Sequence, residues 1–166
     1  MTDGHPFGRV LTLATVPLLV VLVAVLLAGT GLLPIPSTVN DGEVRVVSDG
    51  ETLAVVDVEV ANTPEERYTG LSEHESLADG EGMLFVHADE APRTYVMREM
   101  DFGIDIVFVG ADREITAIET APAPGPGEDG EQIRRSGEAK WVLEVPAGYA
   151  DRRGIEVGDR VEITYH

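Results

Sequence analysis

A chain of 166 residues has room for one ordinary domain plus an accessory segment, not for two ordinary domains. Its formal net charge of −18 repels nucleic acid, so nucleic-acid binding is strongly disfavoured as a function. Cysteine is absent, which removes disulfides, thiolate nucleophiles and thiolate metal sites together.

Residues 1–9 read as a short cytoplasmic tail. From Val10 to Leu33 no charge interrupts an apolar run that meets the ~20 residues a membrane-spanning helix needs. A cleavable signal peptide has a shorter apolar core, about 7–15 residues, and a small-residue cleavage site. Ala28-Gly29-Thr30 is a weak site of that kind, so an uncleaved anchor is expected, with Pro17 tolerated inside it. Arg9 precedes the run and no base follows until Arg45, which places the N-terminus in the cytoplasm and the remainder outside. Residues 34–42, with Pro34 and Pro36, form a linker, and 43–166 form the soluble domain. That domain carries nearly all the negative charge, and Lys140 is the single lysine against eleven arginines. Such a balance suits concentrated salt, where self-repulsion is screened within a few ångströms, and a halophilic, archaeal source is expected, the alternative being an ordinary acidic extracellular protein.

Glu43–Val47 and Thr52–Val60 are two strand candidates joined by the hairpin dipeptide Asp49-Gly50. Thr63-Pro64-Glu65-Glu66 then starts a short helix: Thr63 caps, Pro64 suits the first position, and Glu66 completes a capping box. After an acidic loop, strands are expected at Met83–Val86, Thr94–Met97, Ile104–Val109 and Glu114–Glu119. The run around Asp105 is apolar on both faces and reads as a central strand. Ala121 to Gly137 is rich in Pro, Gly and acid and reads as a long loop. Lys140–Val145 returns as a strand with Trp141, Leu143 and Val145 on one face, Pro146–Arg153 as a short helix, and Arg160–Tyr165 as the last strand. Seven or eight strands with two short helices give an α+β domain, a mostly antiparallel sheet curled toward an open barrel.

Three segments together resemble the family known as domain of unknown function 192. They are Pro64-Glu-Glu-Arg-Tyr-Thr-Gly-Leu, the stretch from Gly80 to Phe108, and Trp141-Val-Leu-Glu-Val-Pro. The resemblance implies the fold and supplies no reaction. Where the family reads Phe-Trp-Met-Lys-Asn-Thr, this chain has Tyr95-Val-Met-Arg-Glu-Met100, and where it reads Pro-Leu-Asp, this chain has Gly103-Ile104-Asp105. Any pocket shaped by those groups in relatives is altered here.

Four residues are candidates for a binding site: Arg67, Met97, Asp105 and Glu144. Arg67 matches the family's Pro-x-Glu-Arg motif, and its guanidinium suits a bidentate carboxylate; the alternative is a solvated helix face. Asp105 sits between two isoleucines and needs partners or an altered pKa. Those partners could belong to a functional site or merely fix a loop. Glu144 has parity opposite to Trp141 and Leu143, which directs it to solvent or a cleft, a plain exposed carboxylate being the simpler outcome. Met83, Met97 and Met100 with His74 and His87 have a copper-like ligand chemistry, but no tight His spacing supports a metal and methionine is first a core filler. No cofactor is implied and no catalytic set is assigned.

The expectation is therefore a single-pass, extracytoplasmic module anchored by its N-terminal helix that binds a small ligand or an envelope protein. A carboxylate-dependent hydrolase of envelope glycan or peptide is one alternative, requiring Asp105 and Glu144 to face one cavity. A purely structural envelope protein, in which Asp105 and Arg67 simply pair, is another.

Overall fold

A computed structural model of the chain describes residues 41–166. The expected tail, membrane span and linker lie outside these residues, apart from the linker's last two positions. Among the described residues no helix is long and apolar enough to cross a membrane.

The seven strands are β1 (Asp41–Ser48), β2 (Glu51–Ala61), β3 (Glu81–Val96), β4 (Ile104–Val109), β5 (Ile115–Ala121), β6 (Arg134–Pro146) and β7 (Arg160–Tyr165). Helix α1 (Pro64–Thr69) follows β2 and helix α2 (Tyr149–Arg153) follows β6. One sheet results, in the order β5-β4-β6-β3-β2-β1-β7, antiparallel throughout except for the parallel β2–β3 pair. The sheet is not closed. Its edges do meet at one end, where Ile115 N–H donates to Asp159 O at 2.9 Å and Val161 N–H to Arg113 O at 2.8 Å.

Local chemistry accounts for the turns. Asp49 and Gly50 both take positive φ, 48° and 85°, as a two-residue hairpin between paired Ser48 and Glu51 requires. The capping box forms in full: Glu66 N–H donates to Thr63 Oγ1 at 3.2 Å, and Thr63 N–H donates to Glu66 Oε2 at 2.9 Å.

Three details depart from the sequence expectations. Met83–Val86 and Thr94–Val96 belong to one 16-residue strand, which ends before Met97 and has its irregularity between Val86 and Ala91. Pro92 is tolerated there because β2 pairs only with Glu81–Phe85, so the second half of β3 has β6 on one side alone. Strand β6 begins at Arg134, inside the segment expected as loop, and it runs through Pro146. Helix α2 consequently starts only after Gly148, whose φ of 75° ends the strand.

The core has two parts, divided by strand parity. Leu84, Val107, Leu143 and Val145 join the side chains of β1, β2 and α2 in one cluster. Met83, Phe85, Ile106, Phe108 and Val142 belong to a second cluster, covered by Leu71, Met97 and Met100. All six residues of β4 are buried because both faces are covered. It is an inner strand, one place from the edge rather than central.

Candidate functional site

Glu144 lies on the second cluster's face of β6, opposite Met83 of β3 and Ile106 of β4. The residue is 4% exposed, so the expectation of a plain surface carboxylate is corrected. Alternation gave its face correctly, but that face is roofed by segments distant in sequence. Its carboxyl accepts no hydrogen bond from any described residue. Burial alone pushes its pKa up to about 8, so it holds a proton at neutral pH.

Beside it is a cavity of about 230 Å³. The cavity lies between α1 with the residues just after it and the part of β3 that β2 leaves uncovered. Phe85, Leu71 and Ile104 give it apolar walls, and Arg67, Arg93 and Arg98 are three basic residues in its lining.

Tyr95 and His87 are joined there by a 3.0 Å contact between the phenol oxygen and Nε2. Tyr95 is set edge-on to Phe85, with centroids 5.0 Å apart. Burial, and then the nearby Glu144 carboxyl, hold its phenol well above the ordinary pKa. Burial, and then the Arg93 and Arg67 charges, push the His87 imidazole down to about 4, so it is neutral at physiological pH.

The three arginines differ in what they already bind. Arg93 donates to Asp89 Oδ1 at 3.0 Å, and Arg98 Nε donates to Glu131 Oε1 at 2.6 Å while stacking 4.2 Å above the Tyr68 ring. Arg67 uses Nη1 for the carbonyls of Asn62 (2.7 Å) and Val86 (3.0 Å), which ties α1 to β3. Its Nε and Nη2 have no acceptor among the described residues, and no described carboxylate forms an ion pair with it.

The remaining candidates sit elsewhere. Asp105, 1% exposed, points to the opposite face of the sheet. Its Oδ1 accepts from Thr120 Oγ1 at 2.8 Å and Gly148 N–H at 3.0 Å, and its Oδ2 accepts from Ala150 N–H at 3.0 Å. It thereby caps α2, whose own cap residue Gly148 has no side chain to do so. Asp105 meets neither Arg67 nor Glu144, so the paired-carboxylate arrangement of a hydrolase does not form. Met97 is fully buried in the second cluster and does not line the cavity. Met83 and Met100 are buried as well, and among the described residues no group of three or more His, Asp or Glu side chains could hold a metal ion.

Sequence reasoning missed His87 and Tyr95 as a pair. The one signal was the irregular Asp89-Glu-Ala-Pro92 stretch between them, which allows residues eight apart to meet.

The curled sheet, the capped helix α1 and the arginine-lined cavity beneath it define a small β-rich domain with a recessed polar site. This chain belongs to the family of domain of unknown function 192 (DUF192), described as an uncharacterized ACR, whose profile matches residues 44–163. Among solved structures it is similar to a protein from Sinorhizobium meliloti 1021 whose name proposes a transcription regulator. That similarity has a TM-score of 0.66 and 28% identity, covering 75% of this chain and 94% of that one. It is also similar to a protein of unknown function from Novosphingobium aromaticivorans DSM 12444, with a TM-score of 0.63 and 34% identity over 72% of this chain and 83% of that one. No curated protein matches the chain.

Proposed function

We propose that this protein is a membrane-anchored, extracytoplasmic module that binds a small ligand in the cavity between α1 and β3. One observation carries the reading: a buried carboxyl, Glu144, has no hydrogen-bond partner among the described residues and borders a cavity also lined by Arg67, which no described carboxylate pairs. A ligand in the cavity would give this carboxyl the hydrogen bond that the described residues do not. Such sites, apolar with a few convergent polar groups and a displaced pKa, are where ligands bind. The transcription-regulator name of one relative does not extend to this chain, because a net charge of −18 opposes a DNA backbone.

The anchor and its orientation are supported by the uncharged run from Val10 to Leu33 and by Arg9 before it. The acidic surface supports a high-salt setting. Melting temperature of the full chain in detergent and molar potassium chloride, measured against panels of sugars, organic acids and short peptides, tests the binding reading. A shift for one panel that disappears in the double variant Arg67→Gln/Glu144→Gln supports it; no shift for any panel refutes it. Release of the chain from membranes by alkaline carbonate would refute the anchor, and unchanged stability after dialysis into low salt would refute the halophilic reading.

A further inference from the structure

We propose that the cavity selects small hydroxy-carboxylates, with the ligand carboxylate on the Nε–Nη2 edge of Arg67 and a ligand hydroxyl on the Glu144 carboxyl. The proposal rests on the binding reading above and names the ligand's chemistry.

Arg67 supplies the first half. Both acceptors it already has, the carbonyls of Asn62 and Val86, are taken by Nη1. The free Nε and Nη2 are the two parallel donors that a carboxylate accepts bidentately, and an arginine presents them in a fixed plane. The other two guanidinium groups already have carboxylate partners, Asp89 and Glu131. Among the described residues Arg67 is thus the cavity arginine with no carboxylate partner.

Glu144 supplies the second half. Held protonated at neutral pH by burial, it both donates and accepts a hydrogen bond, which is what an alcohol needs. A cation is a poor occupant. The cavity's own imidazole, His87, is kept neutral partly by the charges of Arg93 and Arg67, and the same field acts on a ligand ammonium. Size limits the choice further. At about 230 Å³ the cavity is below the ~300–1,000 Å³ of drug-sized sites, which suits ligands from lactate to a single sugar acid.

The titratable and charged groups that line the cavity with Glu144 bear on its pH dependence: Arg67 and Tyr68 from α1, His87, Arg93 and Tyr95 from β3, and Arg98 from the turn after β3. β4 contributes only Ile104 to the cavity. Between pH 6 and 9 Arg98 stays charged, His87 stays neutral and Tyr95 keeps its proton, so Glu144 is the one of these displaced groups that changes. Once ionised it repels the bound anion and can no longer donate.

Isothermal titration calorimetry on the full chain in detergent tests this with four probes: L-lactate, D-glucuronate, glucose and L-alanine. Binding is expected for at least one of the two hydroxy acids, with affinity about tenfold weaker at pH 9 than at pH 7. Glu144→Gln, neutral at every pH, is expected to bind equally well at pH 6.5 and pH 9, without the parent's weakening. Arg67→Gln is expected to bind at least tenfold more weakly. Because Arg67 also ties α1 to β3, its variant is checked by circular dichroism. If it unfolds, the pH comparison between the parent and Glu144→Gln decides alone. Binding of alanine or glucose but of neither acid overturns the ligand class and leaves the binding reading standing. A hydroxy acid whose affinity is flat to pH 9 in the parent overturns the role given to Glu144. Silence from all four probes overturns the ligand class, and silence from the broader panels as well overturns the binding reading.

Discussion

Asp105 and Glu144 lie one register step apart on paired strands and face opposite sides of the sheet: Asp105 is opposite Val145, and Glu144 is opposite Ile106. The two carboxyls differ as much in chemistry as in direction. Asp105 accepts three hydrogen bonds and closes a structural joint, whereas Glu144 accepts none from the described residues and borders a cavity. Substituting Asp105→Ala leaves the Gly148 and Ala150 N–H groups without acceptors, and each orphaned buried donor costs about 1–3 kcal/mol. A loss of roughly 2–4 kcal/mol in chemical denaturation is expected. Any ligand affinity measured under conditions where the variant stays folded should be unchanged.

The displaced pKa values of Glu144 and His87 give stability a defined pH dependence across the neutral range. Glu144 binds a proton in the folded chain up to about pH 8, but in the unfolded chain only up to its ordinary 4.5, so it removes stability as pH rises between those limits. His87 runs the other way. Its folded pKa of about 4 lies below the ordinary 6.5, so it removes stability as pH falls from 6.5 toward 4. From 4.5 to 6.5 the folded chain holds one proton on Glu144 and the unfolded chain one on histidine, so the two slopes cancel. Between 6.5 and 8 only Glu144 acts, and about 2 kcal/mol is expected to be lost. Urea denaturation across that window should show the fall in the parent and its absence in Glu144→Gln. His87→Asn should extend the fall down to pH 4.5.

Much of this was legible in the sequence where the cause is local. Thr63 with Glu66, Asp49 with Gly50, and the Trp141-Leu143-Val145 alternation each fix geometry within a few residues, and each formed as read. The site was less legible because its causes are remote. Alternation directs Glu144 away from Trp141, but what covers that face is Leu71, Met100 and Tyr95, from three other segments. Asp105 visibly needed partners. Two of them are backbone N–H groups, which leave no trace in residue type, and a search for a charged partner pointed wrongly to Arg67.

Arg98 separates connection from stability. It joins Glu131 at 2.6 Å, the Tyr68 carbonyl at 3.3 Å and the face of the Tyr68 ring, so three segments converge on one side chain. The ion pair is exposed to solvent on both sides, 27% and 46%, and exposed pairs contribute about 0–1 kcal/mol. A cation over an exposed ring adds about 0.5–1 kcal/mol. Arg98→Ala is expected to lower stability by no more than about 2 kcal/mol in chemical denaturation, well below the loss from Asp105→Ala.

Gly82 controls the position of Glu144 through the backbone. It sits where β3 is held between β2 and β6, paired with Val58. A Cβ there would lie 2.6 Å from the Glu144 carbonyl oxygen and 3.1 and 3.2 Å from methyl groups of Val56 and Val145. The carbonyl is part of the β3–β6 ladder and cannot rotate away as a side chain would. Gly82→Ala must therefore push β6 outward at Glu144, and overpacking of this kind costs about 1–3 kcal/mol. The shift also loosens the walls that desolvate the carboxyl, so its pKa should fall toward the ordinary carboxylate range. Two readouts are expected to move together in Gly82→Ala: a lower denaturation midpoint, and a shallower loss of stability between pH 6.5 and 8. A lower midpoint with the pH slope unchanged would mean that the Glu144 environment does not depend on this backbone contact.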